Sequence, residues 1–132
     1  MNSKKPTGRF TRFINEDSKF FANGRVKPRA FYPKRGETDI SVYLTESLIE
    51  SDIWELGNQH IKPTLVGRAD FDAYKVYDVG LSIIVDNSPM WHAALGPFPK
   101  VTSESDREAK EMRSHIAAQL AEMSNAKRYT CP

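Results

Sequence analysis

Met112, Ile116, Leu120 and Met123 recur at spacings of 4, 4 and 3, which sets them in one narrow line along an α-helix. A helix with so thin an apolar line buries it against one surface and turns the rest to water. Alanines 109, 117, 118 and 121 border the line and permit a close approach, so the predicted support is a sheet. Ser105 followed by Glu108 has the spacing of a capping box, in which each side chain satisfies a free backbone N–H at the helix start. Acids (Glu104, Asp106, Glu108) gather at that end and bases (Lys127, Arg128) at the other, as the helix dipole favours.

The sheet is legible upstream. In Asp39–Thr45, Ile40, Val42 and Leu44 alternate with Ser41, Tyr43 and Thr45, the period of a half-buried strand. Leu65–Phe71 reads as a second strand, with Asp72 as the cap of a helical turn reaching Tyr77. Gly80–Asp86 is apolar and β-branched enough for a buried central strand. Asn87-Ser88-Pro89 ends it, and Met90–Leu95 reads as a further strand before the loop Gly96–Pro99. Ser47 with Glu50 forms another capping box, predicting a short helix over about 47–57 that stops at Gly57. Near the start, Phe20-Phe21 leads to an Asn23-Gly24 turn, and the prolines of Lys27–Pro33 predict an extended edge segment. The expected fold is α+β: a mainly antiparallel sheet with one short helix and a long C-terminal helix packed on it. Residues 1–8 are expected to be a flexible basic leader and 9–132 a single domain. The predicted core joins Ile40, Val42 and Leu44 to Val79, Leu81, Ile83, Val85, Ile116 and Leu120.

Composition narrows the setting. No apolar run reaches the ~18 to 20 residues of a membrane span, and no apolar signal core follows the basic start. The one cysteine, Cys131, rules out an intrachain disulfide and a cysteine-built zinc site, as expected of a reducing cytoplasm. Net charge is +2, yet residues 1–36 carry +8 and the remainder −6. A basic first quarter is what phosphate backbones or acidic partners would attract; the plainer reading is a solvated arm and strand face balanced by the acidic helices.

The runs Gly24–Phe31, Ile40-Ser41-Val42, Gly67-Arg68-Ala69-Asp70, Val79-Gly80-Leu81 and His92–Gly96 resemble a group of small bacterial proteins without assigned activity. The resemblance spans about residues 10–98. It implies a bacterial or phage setting and one domain, and it brings no activity, cofactor or catalytic residue.

Few chemistries fit. His60, His92 and His115 fall in three separate elements with no metal-ligand spacing, so neither a metal nor a cofactor is expected. No phosphate loop, dinucleotide fingerprint or Gly-x-Ser-x-Gly elbow occurs. Two constellations remain. Arg68, Asp70 and His92 would form a catalytic group if their strands were neighbours, with Asp70 orienting the imidazole, His92 moving a proton and Arg68 holding an anion. The structural alternative is an Arg–Asp pair on a strand surface and a histidine bonded at a sheet end. Arg9, Arg12, Lys27, Arg29, Lys34 and Arg35, interleaved with Phe10, Phe13, Phe31 and Tyr32, could hold nucleic acid by stacking and phosphate pairing; strand alternation would instead bury the aromatics and leave the cations to solvent. Trp91 offers a large apolar face to a protein partner. The first expectation is a small non-enzymatic binding or accessory module of a bacterial or phage cytoplasm acting through a protein partner. Nucleic-acid binding stands second and a small enzyme third.

Overall fold

Strand β1 (Arg9–Ile14) sorts its side chains by parity: Phe10 and Ile14 turn to one face of the sheet, Thr11 and Phe13 to the other. The other elements follow that division. They are β2 (Ile40–Leu44), α1 (Glu50–His60), β3 (Gly67–Asp72), α2 (Ala73–Asp78), β4 (Ser82–Val85), β5 (His92–Gly96), α3 (Arg107–Met123) and β6 (Asn125–Arg128). The computed structural model describes residues 5–16, 25–34, 36–61, 64–101, 103 and 106–129. The six strands form one antiparallel sheet in the order β4-β5-β2-β1-β3-β6. With helices added, the α+β architecture expected from the sequence is present.

On the first face α3 sets Ala117, Leu120 and Ala121 against Phe10, Val42, Ala69, Phe71 and Leu95. Every residue of the predicted core lies in this cluster, with Leu44, Val79, Val85 and Ile116 at its partly buried margin. The buried line of α3 differs from the expected one. It runs through Arg113, Ala117, Leu120 and Ala121, while Met112 is 54 % exposed. The close backbone approach of α3 is to the turn Pro28–Phe31, and the longer Met112 stays outside. Arg113 is accommodated because its Nη2 donates to the carbonyls of Pro33, Lys34 and Glu37, fastening the segment before β2.

The second face is smaller. Ile53 and Leu56 of α1 cover Phe13, Tyr43 and Leu65. Gly57 lies inside this helix and does not stop it; a Cβ there would fall 2.8 to 2.9 Å from the Phe13 ring and Leu65. The glycine permits close docking. The helix also starts later than the Ser47 box predicts: Ile49 is the N-cap and no side chain caps it.

Other expectations shift for local reasons. Lys27–Pro33 contains a 3-10 turn over Pro28–Phe31 instead of an extended edge, with proline at its first position. The Gly80–Asp86 run becomes an edge strand whose Ser82 and Ile84 are exposed, and β5 takes the interior place. Asp72 caps α2 as expected, accepting from the Tyr74 N–H. At α3 the cap is Asp106, accepting from the Ala109 N–H; Ser105 lies outside the described residues. Lys127 and Arg128 belong to β6, a strand the sequence reading missed, and not to the last turn of α3. The Phe20-Phe21 and Asn23-Gly24 features fall outside the described residues. Lys5 lies over the Tyr77 ring and the Pro6 carbonyl accepts from the Tyr77 hydroxyl.

Candidate functional site

Arg68 and Asp70 stand two apart on β3, so both project from the α1 face. Arg68 is fully buried, and its Nε donates to both Asp70 oxygens at 3.1 and 3.2 Å. Its Nη2 donates to Glu50 Oε1 at 2.8 Å, and the Trp54 ring covers the guanidinium with 4.5 Å between ring centre and Cζ. Thr11 Oγ1 donates to Asp70 at 2.7 Å and contacts the Thr45 hydroxyl at 2.8 Å. Lys127 reaches Glu50 from β6 at 3.4 Å. The hydrogen bond from Arg68 holds the Glu50 carboxyl below its usual range. The pair expected on a strand surface is therefore interior, and a buried charge pair persists only when its partners are in place. Nη1 alone has no partner among the described residues. The network ties the first turn of α1 to β3 and β6.

His92 is elsewhere. The ladder sets His92 opposite Tyr43, Tyr43 opposite Thr11 and Thr11 opposite Asp70. The two residues share a face and a row, yet three strand spacings, about 14 Å, part them. No Asp70–His92 dyad forms. Instead Asp86 Oδ1 lies 2.7 Å from His92 Nδ1, and Ser41 Oγ lies 3.0 Å from Nε2. Sequence reasoning passed over both partners. The β4–β5 pairing Val85↔Ala93 carries Asp86 to a place opposite His92, where the Asp86 N–H donates to the His92 carbonyl. A hairpin register counted outward from Asn87-Ser88-Pro89 would have found Asp86. Ser41 needed the long-range β2–β5 register. The His92 bond and the Ser88 N–H lower the Asp86 pKa, and the Tyr43 ring meets the imidazole edge-on at 5.5 Å.

The cations proposed for nucleic acid do not share one surface. Arg9 Nη2 donates to the carbonyls of Thr45 and Leu48 on the α1 side. Arg12 enters where the β1–β2 ladder stops at Thr11↔Tyr43, donating to Ala30 and Ser41 carbonyls. Arg29 and Lys34 are exposed, Lys27 is half-buried, and Arg35 lies outside the described residues. Trp91 is half-buried against the α1 cluster, its positive φ (74°) accompanied by a hydrogen bond from its N–H to Asn87 Oδ1.

Three surface clefts adjoin these elements. One of about 350 Å³ is polar and lies by Arg9, Asp70, Asp72 and Lys75. One of about 340 Å³ separates α1 from Met90 and Trp91. The largest, about 760 Å³, is lined by Ile49, Glu50, Trp54, Glu55, Asn58 and Tyr129. Its floor is ordered: the Trp54 and Tyr129 rings lie 5.1 Å apart, and Asn58 donates to both the Trp54 carbonyl and the Tyr129 hydroxyl. Among the described residues no group of three or more His, Cys, Asp or Glu could hold a metal, and no helix is long and apolar enough to cross a membrane. No protein family, no curated protein and no solved structure matches the chain.

Proposed function

We propose that the chain is a binding module of a bacterial or phage cytoplasm, and that the cleft beside α1 receives a segment of a protein partner carrying an apolar side chain flanked by lysine or arginine. The carrying observation is an apolar cleft whose lining includes the carboxylates Glu50 and Glu55 and no lysine or arginine. Ile49 is 66 % exposed next to the ordered Trp54–Tyr129 pair, the composition of an aromatic anchor site. Glu50 is held by Arg68 and Lys127, which leaves Glu55 as the cleft carboxylate without such a partner among the described residues. An apolar floor gives affinity and the carboxylate rim selects a basic partner.

The test is NMR titration with a short synthetic peptide of leucines between lysines and arginines. Shifts should concentrate at Ile49, Trp54 and Tyr129, shrink with added salt and fail to appear with a peptide of the same leucines between glutamates. Equal response to both peptides, or none to either, would overturn the reading.

A further inference from the structure

Asp86, His92 and Ser41 form a second constellation, distinct from the α1 cleft. One tautomer satisfies both ring nitrogens: Nδ1–H donates to Asp86 Oδ1 at 2.7 Å, and Nε2 accepts from the Ser41 hydroxyl at 3.0 Å. The order carboxylate, imidazole, hydroxyl is that of an activated serine, recognised by geometry and not by chain order. Ser41 lies mid-strand in Ile40-Ser41-Val42, and its side chain is exposed while His92 is half-buried. The register continues from Ser41 to Ala94 and from Ala94 to Ile84. These three residues thus make one row on one face. Ile84 is 68 % exposed, so an apolar strip leads away from the hydroxyl. Arg12 Nη1, from the α3 face, donates to the Ser41 backbone carbonyl at 2.9 Å and holds the strand at the serine.

We propose that Ser41 is a nucleophile that takes the acyl group of an aliphatic ester, with His92 as general base and Asp86 as the residue that positions it, the acyl chain lying over Ala94 and Ile84. The Ser41 oxygen attacks the ester carbonyl carbon and its proton passes to His92 Nε2. The tetrahedral intermediate then expels the alkoxide, which takes that proton and leaves as the alcohol. Water attacks the acyl-serine, gives a proton to His92 and releases the carboxylic acid as Ser41 recovers the proton.

The experiment treats the full chain with a fluorophosphonate probe and, separately, with p-nitrophenyl butyrate. It follows adduct mass, the modified residue and p-nitrophenol release. One equivalent of label on Ser41 is expected, absent in Ser41→Ala and slowed about 10²-fold or more in His92→Gln, the usual range for loss of a general base. Asp86→Asn should slow labelling, because the imidazole loses the acceptor that positions it. No adduct on Ser41 under excess probe would overturn the proposal. So would an equal rate in His92→Gln, which would mark Ser41 as an ordinary surface hydroxyl.

Discussion

The two faces of the sheet are held by different physics. The α3 face is an apolar cluster from Ile83 to Ala121, with Arg113 at its rim donating to backbone carbonyls. The α1 face is half apolar, through Phe13, Tyr43, Ile53, Leu56 and Leu65, and half ionic, through Arg68, Asp70, Glu50 and Lys127. Apolar packing is non-directional and degrades gradually, whereas a buried ion pair fails when one member leaves. The α3 face should therefore answer substitutions by volume and the α1 face by charge.

The sharpest check is Asp70→Ala, which leaves Arg68 without its buried carboxylate partner. Loss of one partner of a buried pair costs about 3 to 5 kcal/mol, and urea denaturation should register it. Replacing both members, Arg68→Met with Asp70→Leu, should cost less than the single change; a double variant as unstable as the sum would break the comparison. On the other face Leu120→Ala, at a fully buried position, should lose about 2 to 5 kcal/mol. An unchanged denaturation midpoint would undo the docking of α3. Gly57→Ala, forced against Phe13 and Leu65, should destabilise by about 1 to 3 kcal/mol through overpacking, and the cost should shrink in a background where Phe13 is shortened to leucine.

The smallest effect is pH dependence. Glu50 has a folded pKa below its ordinary 4.5, so its contribution is full above that value and is lost as pH falls through the folded pKa. Stability should decline on acidification below about pH 4.5, and Glu50→Gln should flatten that limb. If the wild type and Glu50→Gln lost stability in parallel, the bond to Arg68 would carry no linkage.

Much of the architecture was legible because local periodicity carries it. Ile40-Ser41-Val42-Tyr43-Leu44 alternates cleanly, and Leu120 takes its predicted place in the core. Sequence pattern failed where tertiary contacts decide. Ser47 and Glu50 have capping spacing, but Glu50 bonds Arg68, eighteen residues away, and the helix begins without a side-chain cap. Gly57 looked like a terminator because its close approach to Phe13 is invisible in one dimension. Tail strand β6 lacks a β-branched residue and an apolar alternation; it forms because β3 offers a free edge. At the candidate site the residue types were within reach and the pairings were not. His92 was paired with Asp70, whereas the hairpin gives it Asp86.

Both outer strands, β4 and β6, are four residues long. Such a strand exposes about 13 Å of backbone, fewer residues than the six or seven from which stacked sheets usually propagate. A neighbouring chain that met either edge would find too few donors and acceptors to repay the ordering of its own backbone. The sheet is thus poorly suited to being copied, and this brevity lets an isoleucine as open as Ile84 stand in water without turning the edge into a seed for fibrils.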